Sequence, residues 1–323
     1  MNRTLEHILP NVQKPARYTG GEYNAVVKDK KQIKTRFALC FPDTYEIGMS
    51  NLGCRILYGV MNQRSDVWCE RCYAPWGDME EEMRREGLLL YGLESGDAIA
   101  DFDIIGFSLG YEMAYTNVLN MLDLAGVPLR SSDRPELSPM IVAGGTCCYN
   151  PEPLAPFMDL FILGEGEEVT LEYIDLYQQA NEEGWSKEEF LQEAAKIPGI
   201  YVPSLYEVTY RPDGVVEAVT PKGDAPATVT KRIIQDMNKA YFPVKTIIPS
   251  TEIVHDRVML ELFRGCIRGC RFCQAGYVYR PVRSRSPELL AQYGKAACED
   301  SGYQEMTLSS LSSTDYPDRK SVV

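Results

Sequence analysis

From about residue 35 the chain alternates short apolar runs with amphipathic segments. RFALCFP reads as a buried strand, and in NLGCRILYGVMNQ the residues Leu52, Ile56, Leu57, Val60 and Met61 recur at helical spacing. VWCERCYAP predicts a second strand, DMEEEMRREG a charged helix, and DIIGFSLG a third strand leading into the helix AYTNVLNMLDLAG. PMIVAGG predicts a fourth strand, DLFILGEGEE a fifth, and EVTLEYIDLYQQA a closing helix. Strands that alternate with helices in this way predict a doubly wound parallel sheet of the Rossmann type over residues 35–180, preceded by an N-terminal segment, 1–34.

Residues 181–250 break the rhythm. GIYVPSLYEVTYRPDGVVEAVT alternates with period two around the turn RPDG, which predicts a β-hairpin, and the Pro- and Lys-rich stretch after it reads as a linker. A new strand, DRVMLELFRG, begins at Asp256 and is followed by a helix capped by Ser286 with Pro287 at its first position, then by the strand EMTLSSLSS. Strand, loop, helix, strand is how a βα-barrel opens, so residues 251–323 predict a partial barrel with its chemistry at the carboxyl ends of the strands.

Composition narrows the function classes. With 45% hydrophobic and 24% charged residues the chain has the balance of a soluble globular protein. It shows neither a membrane-spanning apolar run nor a signal-peptide pattern, so a cytoplasmic location and no membrane partner are expected. Thirty-three Lys and Arg stand against 46 Asp and Glu, a net charge of -13 that does not favour a nucleic-acid partner. Ten cysteines in a reducing compartment point to metal or redox chemistry wherever they cluster.

They cluster in ELFRGCIRGCRFCQAGYVYRPVRSR, where Cys266, Cys270 and Cys273 stand at C-x3-C-x2-C. Structural zinc needs a fourth ligand, yet His255 lies at the far end of the preceding strand, roughly 25 Å or more away at ~3.3 Å per residue, and Cys298 lies on the next helix. An iron-sulfur cluster with one iron left free of protein satisfies the spacing; zinc-binding or simply buried cysteines are the alternative. The surrounding arginines, Arg264, Arg268, Arg271, Arg280, Arg283 and Arg285, fit either an anionic substrate or pairing with carboxylates of the first domain.

The triad, with Phe272 just before its third cysteine, resembles the signature of radical S-adenosylmethionine (SAM) enzymes. The resemblance implies a 4Fe-4S cluster on Cys266, Cys270 and Cys273, SAM chelated to the open iron, Phe272 beside the adenine, and an electron donor such as a flavodoxin or ferredoxin. Ser309 and Ser310 stand where many relatives carry a contact to the methionine amino group; strand-end turn residues are the plainer reading.

A parallel sheet ahead of such a barrel is similar to the cobalamin-binding domain of one branch of that family. The branch's motif D-x-H-x-x-G here reads DTYEIG, with Asp43, Tyr45 and Gly48, so tyrosine stands where the cobalt ligand would be. Ser108 in GFSLG, the pair Gly144 and Gly145, and LGEGEE further resemble the branch. A phenol with a pKa near ~10 is a poor cobalt ligand beside a neutral imidazole. Two readings stay open: cobalamin held without a protein ligand below the cobalt, or a domain that kept the fold without the cofactor. Cys69, Cys72, Cys147 and Cys148 read as small buried hydrophobes rather than a second metal site.

KPARYTGGEYN, VHDR and LSSLSSTDY complete the resemblance, to a bacterial family whose substrate is unknown. The expected function is reductive cleavage of SAM to a 5'-deoxyadenosyl radical that modifies that substrate; the alternative is a non-catalytic iron-sulfur or cobalamin-binding module. Catalytic residues are not readable. After the triad there is room for one helix, one strand and a short tail, so only two strands of the resembled barrel are accounted for, and DRKSVV carries no strand pattern; a truncated chain, or a separate polypeptide completing the barrel, is also expected.

Overall fold

The computed structural model describes residues 3–317; the end of the tail, from 318 on, lies outside the described residues. In chain order come α1 (Arg3–Ile8), β1 (Thr35–Phe41), α2 (Tyr45–Met49), α3 (Leu52–Asn62), β2 (Val67–Tyr73), α4 (Gly77–Glu86), β3 (Ile104–Ser108), α5 (Tyr115–Leu124), β4 (Met140–Gly144), β5 (Leu160–Ile162) and α6 (Gly166–Glu183). They are followed by α7 (Lys187–Ala194), β6 (Ile200–Tyr201), the hairpin β7 (Tyr206–Tyr210) and β8 (Val216–Pro221), then β9 (Val258–Glu261), β10 (Phe263–Arg264), α8 (Ala275–Val278), β11 (Arg283–Ser284), α9 (Pro287–Ser301) and β12 (Met306–Ser309).

A six-stranded sheet in the order β2-β1-β3-β4-β5-β6 forms the first layer system, parallel except for β6. β1 and β2 are buried along nearly their whole length because helices cover both faces, which is why they read as apolar runs rather than as alternation. The chain winds outward from β1 to β2 and then returns to place β3 on the other side of β1. This makes the β1/β3 boundary a topological switch point, where a crevice opens beyond the carboxyl ends of the strands.

Local signals set the helix ends. Asn51 caps α3 by accepting from the Cys54 amide at 2.9 Å, and Ser186 and Glu189 form a capping box on α7, each such cap being worth ~0.5–2 kcal/mol. The sheet runs further along the chain than the alternation predicts: α7 and β6 lie in the stretch read as hairpin and linker, and β6 pairs antiparallel with β5. The hairpin itself forms at β7 and β8 as expected.

The second unit is smaller. β9 and β12 pair in parallel from Val258↔Met306 to Glu261↔Ser309, joined through the cysteine loop and α9. The expected strand over 256–265 divides at Leu262, and its last two residues pair instead with β11. Phe242, Val258, Leu260 and Ala297 form one small core beneath α9, with Phe242 stacked on Tyr293 at 4.8 Å.

Candidate functional site

A cavity of about 500 Å³ opens at the carboxyl ends of the first sheet. Ser108 to Gly110, the strand end Val142–Thr146, and Gly164–Glu167 line it from the sheet side, and the N-terminal end of α3, Asn51–Gly53, forms one wall. The second unit closes the opposite side with Glu261, Phe263–Gly265, Tyr279 and Ser309–Leu311. The roots of the cysteine loop and the end of β12 therefore face the same space as the switch-point loops.

Two glycines are required by close approach. Gly145 has φ +107, and a Cβ there would lie 2.5 Å from the Leu109 carbonyl oxygen; Gly164 has φ +109, with the Arg232 carbonyl oxygen 2.1 Å from the same position. The second contact lets the linker run against the loop after β5, where the Glu165 amide donates to the Arg232 carbonyl at 2.9 Å.

The polar wall is a paired network. Glu165 accepts two hydrogen bonds from the Arg283 guanidinium, at 2.7 and 2.8 Å, and one from the Ile234 amide at 2.5 Å. Arg264 bonds Glu167 at 2.6 Å and Glu261 at 2.8 Å. Burial penalises the Arg264 charge, but Glu261 and Glu167 outweigh it and hold the guanidinium above its ordinary pKa. Burial likewise works against the Glu261 carboxylate, and Arg264 and Arg285 outweigh it, so its pKa falls. Arg285, fully buried, also donates to the carbonyls of Met237 and Ala240. Of the two roles open to the arginines, the structure shows Arg264 and Arg283 pairing with first-domain carboxylates; Arg268 pairs with Asp315.

The residues singled out from the sequence divide into two groups. Ser108, Gly144, Gly145, Ser309 and Ser310 line the cavity. The Ser108 hydroxyl meets the Cys54 thiol, whose pKa burial pushes up to about 12, and Ser310 shares a hydrogen bond with Ser313 at 2.8 Å. Asp43, Tyr45 and Gly48 do not reach the cavity. The Tyr45 hydroxyl donates to buried Glu22 at 2.9 Å and accepts from the Ser250 amide at 3.2 Å, behind the sheet end. Burial and the nearby Glu22 carboxylate raise its pKa, so the phenolate a metal would need is disfavoured. Asp43 accepts from the Tyr111 hydroxyl and the Thr44 amide, while Gly48 makes room for the Tyr73 ring, 2.2 Å from where a Cβ would stand.

Cys266 and Cys273 are half-buried and Cys270 is exposed, on the loop between β10 and α8. Among the described residues no three His, Cys, Asp or Glu side chains are already gathered as a metal site. Chemically the donor set fits a cluster with one iron free of protein: three thiols on a single short loop, with Arg268 and Arg271 between them and no carboxylate or imidazole. Phe272 points into solvent, 93% exposed, and does not line the cavity. The loop is anchored from its far side by the Thr146–Tyr279 hydroxyl pair and by Lys231, which donates to the carbonyls of Val278 and Arg280 at 2.7 Å. Cys69, Cys72 and Cys148 lie in the main core, where burial leaves no open side for a metal.

Sequence reasoning missed Glu165, Glu167 and Glu261 as site residues. The signal for the first two was the acidic run LGEGEE set against the arginine run 264–285, opposite charges that had to meet if the two units packed; Glu261 stands at the head of the arginine run itself.

Residues 53–203 match the family model described as the N-terminal region of radical SAM proteins. An uncharacterized protein of Methanocaldococcus jannaschii is 26% identical over 289 residues, covering 88% of this chain and 51% of that protein. The structure of the radical SAM methyltransferase TsrM from Kitasatospora setae, with tryptophan substrate and a SAM analogue bound, superposes with a TM-score of 0.53 at 12% identity, over 88% of this chain and 49% of that one. The cobalamin-dependent SAM radical enzyme OxsB gives a TM-score of 0.48 at 17% identity, over 82% of this chain and 32% of that one. The chain thus spans about half the length of the curated relative it matches. No helix among the described residues is long and apolar enough to cross a membrane. Residues 53–203 thus match the N-terminal region of radical SAM proteins, and the mostly parallel sheet followed by the parallel β9/β12 pair is a fold shared with the radical SAM methyltransferase TsrM.

Proposed function

We propose that this chain supplies the cofactor-binding half of an enzyme that cleaves SAM reductively and directs the resulting radical at an as yet unidentified substrate. The observation that carries the reading is the shared cavity: the loops of the switch point and the strand ends that bracket the cysteine loop line one space of about 500 Å³. Cys266, Cys270 and Cys273 would hold a 4Fe-4S cluster, which when bound supplies the electron that splits the sulfonium of SAM into methionine and a 5'-deoxyadenosyl radical.

The chain's own residues do the positioning. Ser309 and Ser310 present hydroxyls at the end of β12, and the Glu165–Arg283 and Glu167–Arg264 pairs fix the loop's base against the first domain. The Phe37, Leu39, Leu57 and Val142 side chains give the cavity an apolar floor that keeps water from a reactive centre. Cobalamin, if carried, would occupy the sheet side near Ser108, Gly144 and Gly145 with no ligand from Tyr45.

Anaerobic incubation of the reconstituted chain with SAM and a reductant tests this through release of 5'-deoxyadenosine. Production that disappears when Cys270 is replaced by alanine supports the reading. An intact bound cluster that never yields 5'-deoxyadenosine, even when the chain is extended to the length of its relatives, would instead favour a non-catalytic binding module.

A further inference from the structure

The helix α3 has two working faces. Leu52, Gly53, Ile56, Leu57 and Met61 line the large cavity, whereas Arg55, Tyr58, Gly59 and Asn62 look the other way into a separate cavity of about 220 Å³. Three segments distant in sequence build this second space: the strap at Asn24 and Val26, the α3 face, and the linker residues Tyr241, Pro243, Lys245, Thr246 and Ile247.

Its lining is rich in donors and holds no carboxylate. Arg55 is held in place by its Nε donating to the Met49 carbonyl at 2.8 Å and its Nη1 to the Thr246 hydroxyl at 3.3 Å. Its Nη2 is buried without any partner, an arrangement that costs free energy unless something arrives to accept the bond. Burial pulls the Arg55 pKa below its ordinary value, against weaker opposing pulls from Tyr303, Tyr73, Asp256 and Tyr45. Of the nearby carboxylates, Asp256 accepts from the Tyr303 hydroxyl and Asp300 from Asn24 at 2.7 Å, and neither bonds the Arg55 guanidinium directly. Lys245 Nζ, the Tyr241 hydroxyl and the Gln63 side-chain amide make no hydrogen bond or ion pair among the described residues. Gly59 is what admits Tyr241: a Cβ there would lie 2.2 Å from the phenol oxygen. The carbonyls at the end of α3, which would repel an anion, are partly occupied by the Lys28 ammonium, bonded to those of Asn62 and Arg64.

We propose that this cavity is a binding site for a small phosphate monoester, its phosphoryl oxygens taken by Arg55, Lys245, Tyr241 and Gln63. A guanidinium, an ammonium, a phenol and an amide line the cavity as donors for a group with three acceptor oxygens. The volume exceeds that of the phosphoryl group alone and leaves room for a carbon skeleton of a few atoms. A net charge of -13 makes unspecific uptake of anions unfavourable, so saturable binding has to come from a local site of this kind.

Calorimetric titration of the chain with inorganic phosphate, glycerol 3-phosphate, glycerol and succinate, at an ionic strength of ~0.15 M, reads the proposal directly. The expected result is saturable binding of the two phosphates, tighter for glycerol 3-phosphate, and none of glycerol. Lys245→Ala and Gln63→Ala should each weaken it, the former about tenfold or more, while Lys222→Ala on the exposed hairpin should leave it unchanged. Arg55→Met should abolish binding, and Lys245→Ala, at an exposed position, keeps the test valid if that variant does not fold. Absence of saturable phosphate binding, binding insensitive to Lys245→Ala, equal weakening by Lys222→Ala, or a preference for succinate would each overturn the assignment.

Discussion

Replacing Glu165 by alanine removes a buried, doubly bonded link between the two units, and its consequence is calculable. The pair with Arg283 is nearly dry, with side-chain exposures of 12% for Glu165 and 9% for Arg283. Breaking a buried pair by deleting one partner costs ~3–5 kcal/mol, because the other charge is left in low dielectric. Arg283 retains the carbonyls of Ile234 at 2.7 Å and Pro281 at 3.1 Å, and Glu167 still holds Arg264, so the low end, about 3 kcal/mol, applies. For a chain of 323 residues, at ~2.1 cal/mol/K of unfolding entropy per residue, that is roughly 4–5 °C in Tm. The loss should be concentrated where the link acts. Amide exchange through local opening over residues 263–285 should quicken by about a hundredfold, since ~1.4 kcal/mol is a factor of ten, while β1, β3 and β4 keep their protection in native conditions. Glu165→Gln, which preserves shape and one acceptor, should fall between. If exchange over 263–285 is unchanged in Glu165→Ala while Tm falls, the clasp does not hold the cysteine loop and the positional argument fails.

Alanine at any one of Cys266, Cys270 or Cys273 should abolish the visible absorbance and iron content of the anaerobically reconstituted chain, whereas serine at Cys69 or Cys148 should leave both in place; the reverse pattern refutes the assignment. Any cobalamin that binds should show no nitrogen hyperfine coupling from a protein imidazole in its reduced cobalt state, and Tyr45→Phe should leave its affinity unchanged, because that phenol is tied to Glu22 and Ser250 away from the cavity. The Glu22 carboxylate is buried, which opposes its ionisation, but Arg71 outweighs this and lowers its pKa below the ordinary 4.5. The stability it contributes is therefore fully present above that ordinary value and is lost as pH falls through the lower folded value. The stability difference between the native chain and Glu22→Gln, measured by denaturant unfolding, should accordingly hold from neutral pH down to about 5 and shrink at lower pH; a difference that grows on acidification would contradict the pairing.

Much of the fold is written locally. Strands covered on both faces must be apolar at nearly every position, so β1 and β3 announced themselves as runs such as RFALCFP and DIIGFSLG. Ser186 and Ser286, as caps, mark helix starts within three residues of their own position. The triad belongs to the same class, since three thiols within eight residues are held near one another by the chain itself. β6 escaped because two residues carry no period, and its place is decided by the β5 edge it pairs with.

Periodicity says which face of an element is apolar and nothing about what stands opposite it, and here tertiary closure took over. Tyr45 lies just beyond the end of β1 and Ser108 is the last residue of β3, yet only Ser108 reaches the cavity, because the strap carrying Glu22 returns across 23 residues to claim the tyrosine. Glu165 meets Arg283 across 118 positions, and the donors of the smaller cavity come from the α3 face and the linker, closed over by the strap. The sequence alone determined that charges of opposite sign, a thiol triad and a doubly wound sheet would be present. Which of these face one another depends on where long loops close and which polar groups must be satisfied once buried, and only the folded chain decides that.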